Sequence, residues 1–456
     1  MNQSLQEWYD KNEDRVFALM HDIWEHPELG LKEHYSSRAA AEFAVQEGFH
    51  VELHAAEDFD NPDANPNTVI AVWGSGKPVI GIVGELDALP GLGQELVPYQ
   101  SPISGPGHGC GHNLMAGGAV AAACALRYAM EKEGLSGTVK LVEAPAEETG
   151  CGKSLLAEAG VFADMDMALM WHSAPGELKF DPRPGQVAFK VKFEFFGKSA
   201  HAAGFPYRGR SALDAVQLMN IGCEFLREHT QRHVLIHYCI TDGGVAPNVV
   251  PAYASAMYMF RADDDYDACN DAFQRAVRIA KGAAMMTDTE MKYTIDSVIP
   301  KFYLNLPLCG FVYEAYKKVP PLTYDEEDYR AAAALYQTLH EGKEIPDDPE
   351  SILPTGIIPF SGSASDHCSC TDAADMSYYC PTIHYVGLGK VTGAAGHHWA
   401  TTYCSGNGIG QKAGLYGYKI LAQTGYDALT NPEIVKKCWE AFRAQNIPEH
   451  PSVKKM

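Results

Sequence analysis

Short apolar runs alternate with helical segments through the first part of this chain, and that alternation constrains its fold more than any other feature. The runs "VIAVWG", "VIGIVGELDA", "TVKLVEAPA" and "MDMALMWH" are bounded by Gly and Pro and read as buried strands. Helical spacing lies between them, including Met115 to Met130 and Lys153 to Ala159. The pattern predicts an α/β fold whose mostly parallel sheet carries helices on both faces. Polar residues close the strands: Asp87 ends "GIVGELD", Glu147 and Glu148 end "LVEAPAEE", and His172 ends "MALMWH". Ligands of open α/β sheets bind outside the carboxyl ends of the strands, so these side chains are expected to meet in one crevice. The loop "GHGCGHN", residues 107–113, follows the Asp87 strand and reaches the same place.

From about Gly185 to Pro300 the pattern changes. In "VAFKVKFEFF" the residues Val187, Phe189, Val191, Phe193 and Phe195 alternate with mainly polar neighbours, the mark of a half-buried strand. A helix from Ser211 to Glu228, strands "HVLIHYCIT" and "AYASAMYMF", a helix from Tyr266 to Ala284 and strand "MKYTIDSVI" follow. The order β-α-β-β-α-β predicts a ferredoxin-like unit. It reads as an insertion, because buried-strand patterning resumes with "TIHYVGLG" near Pro381. The expected division is a catalytic domain over 1–184 and 301–456, interrupted by a lid or dimerisation domain over 185–300. The Val187 to Phe195 strand is expected at a sheet edge, open to pairing with a second subunit. The acidic stretch Tyr324 to Glu350 reads as a solvated excursion.

Length and charge exclude several classes. A chain of 456 residues that is 46% hydrophobic exceeds what one core organises, so two domains are expected. A formal charge of −22 and the lack of any basic run exclude a binder of nucleic-acid backbones. The opening "MNQSLQEWYDKNEDRVF" is polar and acidic, and no apolar run approaches the ~18 residues of a membrane helix. A cytoplasmic location is expected. The 12 cysteines are at ordinary density, several within apolar runs, and are expected to be reduced. Cys368 and Cys370 in "SDHCSC" are given no role.

Cys110 and His112 offer sulfur and nitrogen donors suited to zinc, while carboxylates add oxygen donors that manganese or cobalt also accept. Alone, a Cys-x-His pair is more often packing than coordination. The adjacent Glu147 and Glu148 change the balance, since neighbouring carboxylates repel unless a cation or proton lies between them. One can bind metal while the other faces a water molecule as general base. His172 reads equally as a ligand or as a satisfied core histidine. In "TGAAGHHWATT", neighbours in an extended loop point apart, so one of His397 and His398 is expected to ligate. Five such groups suit two ions that share a bridging water and a bridging carboxylate or thiolate.

Taken together, "HPELG" (His26 to Gly30), "GELDALPG", "GCGHN", "PAEETGCGKSLLAEAGVF", "GKSAHAAGFPYRGRSALDAV", "GGVAPNVVP" and "TDAADMSYYCPT" run in one order over nearly the whole chain. They resemble the dinuclear zinc or manganese aminoacylase and glutamate-carboxypeptidase superfamily. The similarity points to its branch of indole-acetyl-amino-acid hydrolases and p-aminobenzoyl-glutamate hydrolases. "TDAADMSYYCPT" and "HHWATTYCSGNGIGQKAG" are similar to the latter.

That resemblance implies Cys110, His112, Glu148, His172 and His397 as ligands of two divalent ions, zinc or manganese with cobalt accepted, and His398 as the neighbouring polar residue. It implies Glu147 as general base and Asp87 as the carboxylate that holds a ligand histidine in its tautomer. It further implies His201 as an oxyanion donor across a homodimer interface and Asn248 as the residue orienting the carbonyl. Arg261 is a contact for a substrate carboxylate on one reading and a surface ion pair on the other. Glu85 stands where many relatives carry the first histidine of H-x-D, and Asn113 where C-G-H-D is common, which leaves the hydrogen bonding around His112 open. The activity implied is hydrolysis of N-acyl or N-aroyl amino acids such as p-aminobenzoyl-glutamate, with a dipeptidase or an N-acetyl-amino-acid deacetylase as alternatives. A non-catalytic metal protein leaves Glu147 without a task, and a Cys110 nucleophile with His112 as base leaves Glu147, Glu148, His172 and His397 unexplained.

Overall fold

A computed structural model describes residues 1–182, 184–364 and 370–451; Cys368 lies outside the described residues. The described residues form two compact units. One is drawn from Met1–Arg183, Tyr303–Ser365 and Met376–Pro448, and the other is built on Pro184–Phe302 with the described residues of 370–375 and 449–451.

The first unit holds an eight-stranded sheet: β1 (His50–His54), β2 (Thr68–Ser75), β3 (Val79–Glu85), β4 (Gly137–Ala144), β5 (Met167–His172), β6 (Leu178–Lys179), β11 (Ile357–Ile358) and β12 (Thr382–Val386). Its order is β1-β2-β4-β3-β5-β12-β6-β11. The centre, β4-β3-β5-β12, is parallel, and β3 and β4 are buried at every residue, as continuous apolar runs require. Two features depart from expectation: β2 runs antiparallel to β4, and β1 adds an antiparallel edge. The helix His112–Glu133 packs with the helices Gln3–Glu25 and Gly408–Thr430, and its small residues permit close approach: Gly117 faces Met20 and Gly118 faces the Tyr418 ring.

The acidic stretch is more ordered than a solvated excursion. It forms the helix Glu326–Leu339, with Asp325 and Asp328 as a reciprocal capping box and Ala332 and Leu335 buried against Tyr403 and Ile409. Three carboxylates in the first turn favour this helix start, because the macrodipole is positive there.

The second unit carries β7 (Gln186–Phe196), β8 (Val234–Asp242), β9 (Tyr253–Asp263) and β10 (Glu290–Ile299), with helices Ala212–Arg227 and Tyr266–Thr287, in the ferredoxin-like order. The sheet reads β10-β7-β9-β8 and is antiparallel throughout. Phe189, Phe193, Phe195, Tyr258, Phe260 and Phe273 form its core. The placement of the Val187 to Phe195 strand at an edge is corrected here: β7 is flanked by β10 and β9, and the edges are β10 and β8. Among the described residues no helix is long and apolar enough to cross a membrane.

One core residue is costly. Glu143 of β4 is fully buried and neither carboxylate oxygen has a hydrogen-bond partner. Its neighbour across the ladder must be Gly84, since a Cβ there would collide with the Glu143 carboxylate. Burial, and then the charge of Glu85, push the Glu143 carboxyl well above the usual carboxylate range. The folded protein therefore keeps a proton that the unfolded chain releases above its ordinary value, so this group's contribution to stability falls as pH rises beyond about 4.3. Glu143→Met should be more stable than the parent by about 1–3 kcal/mol at pH 8, with a smaller gap at pH 5. Urea unfolding at the two pH values checks this, and a gap that does not widen with pH refutes it.

Candidate metal centre

Seven of the residues singled out above meet at the carboxyl ends of the parallel strands: Asp87 beyond β3, Glu147 and Glu148 beyond β4, His172 ending β5, Cys110 from the loop before the helix His112–Glu133, His112 at its first position, and His397. The "GCGH" turn depends on Gly111, which has φ +92° and whose Cβ would lie 2.6 Å from Ser173 Oγ. Gly109 O accepts the His397 N–H at 3.0 Å, which ties the two histidine-bearing loops together.

His112 is fully buried, and its Nδ1 lies 2.9 Å from the Asp87 carbonyl and 3.0 Å from Asp87 Oδ1. Donation from Nδ1–H to these acceptors leaves the Nε2 lone pair facing inward, the arrangement of a ligand histidine. That Nε2 stands 3.1 Å from Glu85 Oε2 and 3.9 Å from Glu148 Oε1. Burial alone would lower the His112 pKa, but Glu85, Cys110 and Asp87 outweigh it and hold the imidazole well above its ordinary value. Asp87 is lowered despite its burial, because His112 and the Glu148 N–H at 2.9 Å stabilise its charge.

Cys110 Sγ is 3.4 Å from His172 Nε2. Burial pushes the thiol up to about 11 against the pull of His112. His172, with Nδ1 at 2.7 Å from the Ser173 carbonyl, is held well below its ordinary value by burial and then by His112 and Lys390. His397 Nε2 lies 3.2 Å from Glu148 Oε2. His398 instead accepts the Ala400 N–H at 3.3 Å and caps the helix Trp399–Ser405. Burial raises the Glu148 carboxyl against the attraction of His112 and His397.

In each of three groups the donor atoms lie within 4.8 Å of one another: Cys110, His112 and His172; Cys110, Glu148 and His397; and Glu85, His112 and Glu147. Cys110 belongs to two of them. His112 Nε2, Glu148 Oε1 and Glu85 Oε2 are buried atoms without hydrogen-bond partners. Nitrogen and oxygen atoms left without hydrogen-bond partners beside the Cys110 sulfur fit a pair of divalent cations.

Several neighbours were not anticipated. Lys153 Nζ forms a fully buried ion pair with Glu85 Oε1 at 2.6 Å. His384 sits with its ring 5.6 Å from that of His172, and the buried Lys390 lies within electrostatic reach of Cys110. Glu85 precedes Asp87 by two residues on the same strand end, a signal present in the sequence; Lys390, in "GLGKVTG", left none. Asn113 does not serve His112. Its Nδ2 donates to the carbonyls of Met20 at 3.0 Å and Ser405 at 2.9 Å, joining two flanking helices.

His201, Asn248 and Arg261 belong to the second unit. The N–H groups of Ala203 and Gly204 donate to His201 Nδ1 at 3.3 and 3.0 Å, so the neutral ring carries its proton on Nε2. Asn248 is beside it: its carbonyl accepts the Ala202 N–H at 3.0 Å, and both residues are exposed. Arg261 in β9 donates to Met259 Sδ at 3.1 Å, its Nε lacks a hydrogen-bond partner, and it makes no ion pair with a described residue.

Comparison with known proteins agrees with this architecture. Residues 81–454 match the family model described as peptidase family M20/M25/M40. A p-aminobenzoyl-glutamate hydrolase subunit of Escherichia coli (strain K12) is 32% identical over 94% of this chain and 92% of its own. The Xaa-Arg dipeptidase of Mus musculus is 29% identical over 96% and 90%. Among solved structures, an aminobenzoyl-glutamate utilization protein from Klebsiella pneumoniae superposes with a TM-score of 0.64 at 17% identity, covering 94% of this chain and 98% of that one. A dinuclear metal-binding peptidase of the M20 family from Bacillus subtilis gives 0.59 at 18% identity, covering 92% and 99%. With its strand-end cluster and its second, ferredoxin-like unit, the chain belongs to peptidase family M20/M25/M40 and is a hydrolase of amide bonds.

Proposed function

We propose that the chain hydrolyses N-acyl or N-aroyl amino acids, p-aminobenzoyl-glutamate foremost, with Glu147 as general base. The observation that carries this reading is the set of buried donor atoms without hydrogen-bond partners on His112, Glu148 and Glu85, beside a second carboxylate on the same turn. Cys110, His112, Glu148, His172 and His397 would hold two divalent cations, zinc or manganese, with cobalt an accepted substitute. Such ions, when bound, polarise a carbonyl and lower the pKa of a water molecule. Glu147 takes a proton from the attacking water as its oxygen joins the amide carbon. It returns that proton to the nitrogen as the C–N bond breaks, leaving a carboxylate and an amine. Asp87 keeps His112 in the tautomer that presents Nε2.

The remaining roles fall to the second unit, taken as a lid and dimerisation domain over 185–300 between catalytic segments 1–184 and 301–456. His201 donates its Nε2–H to the developing oxyanion from the other copy of a homodimer, an assignment supported by the acceptor role of its Nδ1. Asn248 orients the carbonyl. Arg261, which has no carboxylate partner among the described residues, pairs with the carboxylate of the substrate. The location is cytoplasmic, with neither nucleic acid nor membrane as partner. A dipeptidase is the second reading, favoured by the 29% identity to the mouse Xaa-Arg dipeptidase across 96% of this chain; a deacetylase of N-acetyl amino acids is the third.

A product-resolved screen of aroyl-glutamates, acetylated amino acids and dipeptides, with and without chelation, tests the proposal. Cleavage of p-aminobenzoyl-glutamate in preference to the others is expected, lost on chelation, and lowered in His201→Ala at unchanged cation content. Preferential cleavage of dipeptides would replace the leading substrate. Wild-type turnover in His201→Ala, or a monomer by light scattering, would remove the lid from catalysis.

A further inference from the structure

The Glu147–Glu148 turn is held at both ends by carboxyl groups that the proton-transfer scheme does not use. Asp87 Oδ2 accepts the Glu148 N–H at 2.9 Å, and Glu33 Oε1 accepts the Ala146 N–H at 2.7 Å. Glu33 is fully buried, and its Oε2 has no hydrogen-bond partner. It stands three residues beyond the matching block "HPELG", to which no role has been given. The same segment also holds the chain just after Asp87 and packs on the turn. The Ala88 N–H donates to Glu28 O at 2.7 Å, Leu29 bridges Ala88, and a Cβ on Gly30 would sit 3.1 Å from Thr149 Cγ2 and 3.2 Å from Ala146 Cα.

This support answers a local need. Ala146 has φ +56°, a left-handed conformation that a residue with a Cβ holds only when its surroundings dictate it. Without a fixed acceptor for its N–H, the residue before Glu147 would relax toward ordinary backbone angles and carry the Glu147 side chain with it. Asp87 cannot do this alone, because its two oxygens are committed to His112 and to the Glu148 N–H.

We propose that Glu33 is a positioning residue for amide hydrolysis, its buried carboxyl holding the Ala146 N–H so that the backbone carrying Glu147 keeps a single conformation. The proposal rests on Glu147 being the base. Burial, and then the nearby Asp87, push the Glu33 carboxyl up to about 9, so an uncharged amide is its closest mimic.

Glu33→Gln keeps an acceptor oxygen at that place, whereas Glu33→Met keeps the length and loses the acceptor. With p-aminobenzoyl-glutamate as substrate, Glu33→Met should lose about 10–100-fold in kcat with KM within about twofold of wild type, and Glu33→Gln should stay within about threefold on both. Cation content should be unchanged in each. A merely structural role would lower the unfolding midpoint of both variants while leaving kcat per folded molecule intact, and that result overturns the proposal. So does an equal loss of kcat in the Gln and Met variants. If Glu33→Met fails to fold, Glu33→Asp, which withdraws the carboxyl by one methylene, carries the test: a comparable fall in kcat supports the proposal and wild-type kcat overturns it. The parallel variant Glu147→Gln separates the two ideas. If it is inactive while Glu33→Met turns over normally, only the positioning role fails; if it is fully active, the base assignment fails and takes this proposal with it.

Discussion

Glu147→Gln is expected to lower kcat by about a thousandfold while the protein folds and binds divalent cations as before. Glutamine preserves the size and the hydrogen-bonding reach of the side chain but cannot take a proton. The loss should therefore fall within the roughly 10²–10⁴-fold that general acid–base catalysis supplies. A thousandfold corresponds to about 4 kcal/mol of transition-state stabilisation. Because the proton moves only during reaction, KM should change little. The geometry also states the competing outcome. Glu148 stands within 3.2 Å of His397 and has a buried oxygen facing His112, but Glu147 forms a donor group of its own with Glu85 and His112. If Glu147→Gln loses a bound cation along with its turnover, as metal analysis would reveal, Glu147 is a ligand and the two neighbouring carboxylates exchange roles.

The parallel centre of the sheet was legible because strands buried on both faces must be apolar at every position, and β3 and β4 are. Strand direction was not: the residues of β2 read alike whether it runs with β4 or against it. β1 escaped notice because "HVELH" is largely exposed and carries no apolar run. The acidic stretch misled because charge runs are usually solvated, whereas here the charges cap a helix whose apolar residues face a core. The same alternation that identified β7 could not say which neighbours it would take, and an internal strand of a one-sided sheet alternates just as an edge strand does.

At the site, residues that close strands were legible from topology alone, since open parallel sheets bring their carboxyl ends together. Lys153, His384, Lys390 and Glu33 were not. They matter because Lys153, Lys390 and Glu33 are buried and the half-buried His384 ring lies beside His172, and burial of a single polar residue leaves no periodic trace in a sequence. Lys153 is the clearest instance: one lysine near the start of a short helix reads as a surface residue, yet it is fully buried against Glu85. His201, Asn248 and Arg261 rested on resemblance, because nothing in their spacing ties them to the strand ends.

Removal of divalent cations should abolish turnover and lower stability together. Glu85, Asp87, Glu147 and Glu148 crowd around His112, and the buried Lys153 is paired with Glu85. Like charges this close repel, and a cation held between them relieves the repulsion. An ion that binds the folded chain and not the unfolded one stabilises it by about 2.7 kcal/mol when its free concentration is a hundredfold above Kd. Dialysis against a chelator, followed by thermal unfolding and a rate assay, should show the midpoint and the activity falling in step and returning in step when zinc or manganese is restored. Cys110→Ala sharpens the test, because its sulfur belongs to two of the donor groups and its loss should weaken binding at both positions rather than one. Stability that ignores chelator and added metal alike would mean that these side chains settle their charges among themselves, and the unpartnered atoms around His112 would then need another occupant.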